Sequence, residues 1–246
     1  MAGIDRFDAN RRSLLALGAG AAAVLALGLG ARGSRAAGPL KIGVIGSGKL
    51  GGTVGSLWVK AGHPVMFSAR NLDEVKSLAA GLGPLASAGT PVEAAAFGEV
   101  VLVAVPYGAL AQVGKDCAAG LKGKVVLDAC NAIAARDGEQ YAAAAKEKGI
   151  GALSAEYLPG TRLVRAFNCV GYTKLRSETH RAPPLVAIPL ASDDAEALKV
   201  AAALVTDAGF EPLVVGPLAR AKDFAAGTPV FGQALTAAEL RQKLAL

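Results

Sequence analysis

Residues 41–52 read KIGVIGSGKLGG: a short apolar strand leads into Gly46-x-Gly48-x-x-Gly51, and a helical pattern follows. In such a motif the first glycine makes a tight turn and the second lets the backbone approach a pyrophosphate. The third lets the helix pack closely on the strand, and amides at the helix start hold the anion. The stretch therefore predicts a dinucleotide site.

Strand and helix signals alternate along the rest of the chain. The run Val100–Val105 is continuously apolar, which is typical of a parallel strand covered on both faces. Strands are predicted at residues 41–45, 64–68, 99–105, 124–129, 163–167, 185–189 and 210–215, and helices begin after Asn71 and Thr90 and span 193–208. We therefore expect an α/β fold, a Rossmann-type doubly wound, mostly parallel sheet with a small C-terminal appendage.

The N-terminal residues predict an export signal. Arg11 and Arg12 precede a mildly apolar stretch that ends near Leu29, and Ser34-Arg35-Ala36 offers a small-residue cleavage site. We expect residues 1–38 to be a twin-arginine signal segment and the protein to be periplasmic, with no stable membrane span once the signal is removed. The alternative is an uncleaved signal that anchors the protein in the membrane.

Charge and the rare residue types exclude several classes of function. The chain has a formal charge of +6, but residues 39–246 hold 21 basic and 18 acidic residues and no basic stripe with interleaved aromatics. Nucleic-acid binding is therefore not expected. Three scattered cysteines and two histidines give no metal-type spacing, so no metal site is expected. His63 is expected at the surface, and Cys169 as a small buried residue rather than a nucleophile.

The end of the second predicted strand indicates which dinucleotide binds. NAD sites place an acidic residue there to hold the ribose hydroxyls. This chain instead reads Ser68-Ala69-Arg70-Asn71. A guanidinium can bind a 2′-phosphate with charge-assisted hydrogen bonds, so NADP is predicted, with Arg70 as the main contact and Ser68 or Asn71 as helpers. The alternative for Asn71 is a helix cap. Residues 39–218 would form the NADP-binding domain, and 219–246 a C-terminal loop and helix.

The sequence also resembles a known family. The stretches that carry the resemblance are Ile42 to Gly52, Ser68 to Asn71, Val103 to Tyr107, Asp128 to Asn131, and Val164 to Cys169. In this order they resemble the NADPH-dependent deazaflavin (coenzyme F-420) reductases and related dinucleotide-binding oxidoreductases. Members more often have Thr where Cys169 stands.

The resemblance implies roles for particular residues. Residues against the pyrophosphate would be Gly46, Ser47, Gly48, Lys49 and Leu50, with Gly51 packing the helix. Val105, Pro106 and Tyr107 would flank the adenosine and nicotinamide halves of the cofactor, although Tyr107 could equally be a buried aromatic. Asn131 and Asn168 would hydrogen-bond the carboxamide or the hydride acceptor, and turn formation is their alternative.

Two functions remain open from the sequence. The first is an NADPH-dependent oxidoreductase that passes hydride to a small-molecule acceptor such as a deazaflavin or flavin, because such a transfer needs positioning more than acid or base groups. The second is a non-catalytic NADP-binding module that acts through a partner. The tail segment Gly227–Gly232, with Phe231 as a stacking side chain, would be a lid or, in the preferred interpretation, a packing segment or homodimer contact.

Overall fold

An eight-stranded sheet organises residues 38–246, the part of the chain that this computed structural model describes. The strands are β1 (Ile42–Ile45), β2 (Val65–Ser68), β3 (Ala86–Gly89), β4 (Val100–Val103), β5 (Val125–Asp128), β6 (Arg162–Arg165), β7 (Ala187–Ala191) and β8 (Glu211–Gly216). Their order is β3-β2-β1-β4-β5-β6-β7-β8. Neighbouring strands are parallel except for β6 and β7. The mostly parallel, Rossmann-type sheet predicted from the sequence is confirmed.

Helices cover both faces of this sheet. They are α1 (Lys49–Lys60), α2 (Leu72–Leu82), α3 (Pro91–Phe97), α4 (Leu110–Asp116), α5 (Ala118–Leu121), α6 (Ala134–Asp137), α7 (Glu139–Lys148), α8 (Ile150–Tyr157), α9 (Tyr172–Glu178), α10 (Ala195–Asp207) and α11 (Ala237–Leu244), with 3-10 helices at Tyr107–Ala109 and Leu218–Phe224. In residues 38–246, none of these helices combines the length and the apolar character needed to span a bilayer.

Two apolar cores lie on opposite faces of the sheet. Helices α1, α2, α9 and α10 bury one, and helices α3, α4, α5, α8 and α11 bury the other. Trp58 belongs to the first core, where its indole N–H donates to the Leu204 carbonyl at 2.8 Å and its ring meets Phe167 edge-on. Strands β1 and β4 at the centre of the sheet are thus covered on both faces, which explains why their sequences are continuously apolar.

Strand β3 is the strand of the described sheet that the sequence analysis missed. Its residues are Ala86, Ser87, Ala88 and Gly89, and they pair in parallel with β2 at one edge of the sheet. Small residues have a low intrinsic preference for strands, and the pairing with β2 supplies what the local sequence does not. The signal segment predicted for residues 1–38 lies outside the described residues, apart from its last residue.

The C-terminal residues pack against the sheet as part of the same compact unit. Helix α11 contacts β7 and β8, with Leu240 and Leu244 buried. A capping box fixes its start: the Thr236 side chain accepts from the Glu239 N–H, and the Glu239 carboxylate accepts from the Thr236 N–H. Within the described chain this segment therefore forms a wall of the domain.

His63 corrects one expectation from the sequence. Only 5% of its surface is exposed, although it follows a turn. Its Nδ1 accepts a hydrogen bond from the Leu40 N–H, and its Nε2 lies 3.0 Å from the Asp207 carboxylate. The imidazole thus ties the segment before β1 to the end of α10, which is a structural role.

Candidate functional site

The turn after β1 has the backbone that its sequence predicts. Gly46 has a φ of 97°, a conformation that side chains disfavour, and a Cβ there would lie 2.4 Å from the Ala104 carbonyl oxygen. A Cβ on Gly51 would lie 2.2 Å from the Gly46 carbonyl oxygen. These two glycines therefore let β1, α1 and the end of β4 approach one another closely.

Gly48 differs from both, because a Cβ there would meet no protein atom within 4 Å. Gly48 is the N-cap of α1, where no side chain caps the helix and no acidic residue occupies the first turn. Free amides and a helix dipole at this end favour an anion. The space beside Gly48 and the uncapped helix start fit a pyrophosphate.

A cleft of about 510 Å³ opens beside this turn, at the carboxyl ends of β1, β4, β5 and β6. Strand order reverses between β1 and β4, which is where open α/β sheets bind ligands. The lining residues are Gly48, Lys49, Leu50, Ala104, Val105, Pro106, Ala129, Cys130, Asn131, Ile133, Arg136, Asn168, Val170, Gly171, Tyr172, Phe231 and Gly232. The fold thus gathers seven of the predicted site residues: Gly48, Lys49, Leu50, Val105, Pro106, Asn131 and Asn168.

The predicted 2′-phosphate residues at the end of β2 separate into three situations. Arg70 is exposed and forms no hydrogen bond or ion pair with any described residue. Asn71 caps α2: its side-chain oxygen accepts from the Asp73 N–H at 3.2 Å, and its amide donates to Glu74. The alternative interpretation of Asn71, a helix cap, is thus present in the structure.

Ser68 corrects the prediction that it helps to bind a phosphate. Its side chain is fully buried and donates to the Val44 carbonyl at 2.8 Å. Its N–H donates to the Ser47 hydroxyl, and its carbonyl accepts from the N–H groups of Gly46 and Ser47. Hydrogen bonds that join Ser68 to Gly46 and Ser47 therefore hold the glycine turn against the end of β2.

Tyr107 takes the alternative given for it, a buried aromatic, rather than a place beside the cofactor. Its ring is fully buried and its hydroxyl lies 3.1 Å from the Ser154 hydroxyl. Burial raises the pKa of the Tyr107 hydroxyl well above its ordinary value, and the Ser154 hydrogen bond offsets only part of that rise. The side chain points into the core beneath α8 rather than into the cleft. Only its neighbours Val105 and Pro106 line the cleft.

Asn131 and Asn168 form a buried amide pair in the cleft wall. The Asn131 amide donates to the Asn168 carbonyl at 2.9 Å. The Asn168 amide donates to the Asn131 side-chain oxygen at 3.3 Å and to the Phe224 carbonyl at 3.2 Å. The Asn168 side-chain oxygen is buried and has no partner among the described residues. A buried acceptor without a donor is costly, so this oxygen is suited to receive an N–H from a ligand.

Phe167 directs Asn168 into the cleft. Its φ of 59° is unusual for a bulky residue and marks a sharp bend two residues after β6 ends. The Phe167 ring packs against Trp58 in one core, with ring centroids 5.7 Å apart, while Asn168 lies in the cleft wall. The bend at Phe167 thus lets its own ring enter the core while the next residue, Asn168, lines the cleft.

An ion pair that the sequence analysis did not assign lies beneath this wall. Asp128 and Arg165 are paired in register on β5 and β6, are both fully buried, and form a salt bridge. The Asp128 carboxylate also accepts from the Cys130 N–H at 2.8 Å, and the Arg165 guanidinium donates to the Cys130 carbonyl at 2.6 Å. The pair therefore fixes the turn that carries Asn131.

The same turn is held from the solvent side by Arg136, another unassigned residue. Its guanidinium donates to the Asn131 carbonyl at 2.7 Å and to the Asp137 carboxylate at 2.9 Å. Burial acts to raise the pKa of Asp137, but hydrogen bonds from Arg136 and the Ile133 N–H outweigh it and lower that pKa. The position of Asn131 after a predicted strand indicates a turn, but nothing in the sequence identifies Arg136 as the residue that holds this turn.

Two aromatic side chains border the cleft. The Lys49 ammonium lies 5.5 Å from the centre of the Tyr172 ring, a cation–π contact across the entrance between α1 and α9. Phe231, predicted as a stacking side chain, lines the other side. Its segment is tied to the end of β6, since the Gly232 N–H donates to the Cys169 carbonyl at 2.7 Å. Here the segment forms a wall.

The cysteines near the cleft are buried. Burial raises the pKa of the Cys169 thiol to about 12, and its Sγ lies 3.4 Å from the Val230 carbonyl. Burial also raises the pKa of Cys130 well above its ordinary value. The prediction of Cys169 as a buried residue is confirmed, since only 2% of its surface is exposed. A protonated thiol is also a poor nucleophile.

Comparison with known proteins gives a family match over the first part of the described domain. Residues 41–132 match the model of the family "NADP oxidoreductase coenzyme F420-dependent". This range contains the glycine turn, the end of β2 and the strand ends up to Asn131. Comparison with curated protein sequences gives no match.

Solved structures share the fold. One is a hypothetical protein, SMa0349, from Sinorhizobium meliloti, with 24% identity over 81% of this chain and 96% of that chain, at a TM-score of 0.67. Another is a candidate F420-dependent NADP reductase from Arthrobacter sp. FB24, with 18% identity over 80% and 99% of the two chains and a TM-score of 0.60. A third is 3-hydroxyisobutyrate dehydrogenase from Mycobacterium tuberculosis, with 19% identity, a TM-score of 0.55 and coverage of 75% of this chain but 57% of that one.

Proposed function

We propose that this protein is an NADPH-dependent oxidoreductase that transfers hydride between NADP(H) and a second, small-molecule redox partner such as a deazaflavin or flavin. The observation that carries the proposal is the cleft at the point where strand order reverses, which begins at the uncapped start of α1 beside Gly48. The family match over residues 41–132 supports an NADP-dependent oxidoreductase.

The pyrophosphate of NADP would lie against Gly48 and the first turn of α1. The adenosine half would extend toward the end of β2, where the unpaired Arg70 can bind a 2′-phosphate. The nicotinamide half would extend toward β5 and β6. There the Asn168 side-chain oxygen can accept a hydrogen bond from the carboxamide.

Chemistry at the nicotinamide end requires orientation and exclusion of water. Bound NADPH supplies the hydride, and the protein holds donor and acceptor in contact. The walls at this end are formed by Ala129, Val170 and Phe231 together with the amide pair Asn131 and Asn168. Such walls suit the transfer of a hydride between two ring systems.

The direct test uses purified protein, residues 39–246. We expect NADPH to bind and its absorbance at the reduced-nicotinamide band to fall when deazaflavin or flavin is added. Tight NADPH binding without oxidation by any acceptor would instead support the non-catalytic binding module. Absence of NADPH binding would refute both functions.

We propose further that the protein works in the periplasm after export through the twin-arginine route. The support is the sequence alone: Arg11 and Arg12, the apolar stretch and the small-residue site near Ala36. Replacing both arginines by lysine should retain the protein in the cytoplasm. A periplasmic fraction that is unchanged by this substitution would contradict the proposal, and a membrane fraction would favour the uncleaved anchor.

A further inference from the structure

A second, larger cavity of about 940 Å³ borders the cleft. It lies under α7, α8 and α11 and beside the 3-10 helix Leu218–Phe224. The two cavities share one turn, because Asn131 and Ile133 line the cleft whereas Ala132 between them lines the larger cavity. The C-terminal loop also borders both: Thr228 and Pro229 line the larger cavity, and Phe231 and Gly232 line the cleft.

Three lysines from three different elements line this larger cavity. They are Lys146 of α7, Lys222 of the 3-10 helix and Lys243 of α11. None of the three forms a salt bridge or a hydrogen bond with a described residue, whereas Lys148, Lys174 and Lys199 do. All three lysines are exposed, and their unpaired ammonium groups around one open space create a positive potential there.

The acidic groups near the lysines are already engaged. Asp223 is the one carboxylate among the lining residues of the described chain, and it forms a salt bridge with Arg220. Glu239 lies one turn before Lys243, and its carboxylate accepts hydrogen bonds from the Thr236 N–H and hydroxyl. The cavity therefore retains a positive charge that a ligand can neutralise.

We propose that this lysine cavity binds an anionic group of the second redox partner. This inference rests on the proposed function, since the partner must reach the nicotinamide end of the cleft. A ligand whose ring system contacts Phe231 and Asn131 would place a charged side group across the shared turn, beside Ala132. Phosphate is a suitable group, because lysine commonly binds phosphate as a point charge.

The test compares two flavins that differ by one phosphate. Flavin mononucleotide and riboflavin are titrated into NADP-loaded protein, with flavin fluorescence as the readout, which needs no turnover. We expect flavin mononucleotide to bind at least about tenfold more tightly, and raised salt to reduce this difference. The triple substitution Lys146→Gln, Lys222→Gln and Lys243→Gln should make the two affinities equal and leave NADPH affinity unchanged.

The helix dipole stabilises lysines in the last turn of a helix, which is another explanation for the position of the cavity lysines. The control therefore uses lysines that also lie at helix ends. Lys60, Lys115 and Lys122 are exposed like the cavity lysines and lie at helix ends, but they do not line the cavity. Their triple replacement by Gln removes the same charge and should leave the flavin preference intact. Equal affinity for the two flavins, no binding of either, or equal loss in both triple variants would overturn the inference.

The outcomes separate the inference from the proposed function. Preferential binding of flavin mononucleotide without NADPH oxidation would refute hydride transfer but leave the anion site established. NADPH oxidation by riboflavin and flavin mononucleotide at equal KM would support the oxidoreductase and overturn the anion site.

Discussion

The end of β2 carries an exposed, unpaired charge, whereas the ends of β5 and β6 carry a buried ion pair. Arg70 after β2 is exposed and has no partner among the described residues. Asp128 and Arg165 are fully buried, form an ion pair with each other and hydrogen-bond the Cys130 backbone. An exposed charge contributes little to stability, and it can bind a ligand without first losing a contact within the protein. A buried pair holds a turn in place but becomes a liability if one partner is lost.

The largest effect should come from breaking the buried pair. Arg165→Met leaves Asp128 charged and unpaired, and we expect the free energy of unfolding to fall by about 3–5 kcal/mol. Urea denaturation measures this change. Arg70→Met is the matched control and should leave stability within about 0.5 kcal/mol of the original. A similar stability for both variants would show that the buried pair does not hold the fold.

The glycine turn offers the next contrast. Gly51→Ala places a Cβ against the Gly46 carbonyl, so we expect a loss of about 1–3 kcal/mol from overpacking, seen as a lower Tm. Gly48→Ala meets no protein atom and should retain its Tm while weakening NADPH binding more than tenfold. Calorimetric titration and thermal unfolding of both variants test this. Unchanged NADPH affinity in Gly48→Ala would place the pyrophosphate elsewhere.

Arg70→Ala sharpens the cofactor side of the comparison. Loss of charge-assisted hydrogen bonds to a 2′-phosphate costs about 1.5–3 kcal/mol, so NADPH affinity should fall roughly 10- to 100-fold. NADH lacks that phosphate, and its affinity should stay nearly constant. Titrations of both nucleotides measure the ratio. An equal loss for NADPH and NADH would exclude Arg70 as the phosphate contact.

The smallest effect concerns acid stability. The pKa of Asp137 is lowered in the folded protein, so its contribution is present above the ordinary aspartate pKa of about 4 and is lost as pH falls further. Asp137→Asn should therefore flatten the decline in stability below about pH 4. Denaturation midpoints between pH 3 and 7 measure this decline. Asp116→Asn, an exposed carboxylate, serves as control, and an identical acid limb in both variants would contradict the assignment.

The sequence predicted the glycine turn and most strands because these depend on local patterns. The motif Gly46-x-Gly48-x-x-Gly51 specifies the turn by what fits within a few residues. The apolar run that includes β4 needs no knowledge of its partners. Strand β3 was missed because pairing with β2, and not its four small residues, makes it a strand.

Side-chain direction at strand ends could not be predicted in the same way. Within a strand, successive side chains point to opposite faces of the sheet, so their direction can be predicted. Ser68 is the last residue of β2 and Tyr107 follows β4, where this rule no longer applies. Their orientation depends on distant acceptors such as the Val44 carbonyl and the Ser154 hydroxyl. The sequence analysis gave Arg165 no role for a related reason. A charged residue is expected at the surface unless its partner is known.

The buried pair of Asp128 and Arg165 also constrains how this chain can diverge. Either residue alone cannot be replaced by an apolar one without stranding a charge in the sheet, whereas a joint replacement by apolar residues of similar volume is often neutral. Single-step mutational paths at this place therefore pass through unstable intermediates. Among descendants of this sequence, we expect positions 128 and 165 to be retained together or exchanged together.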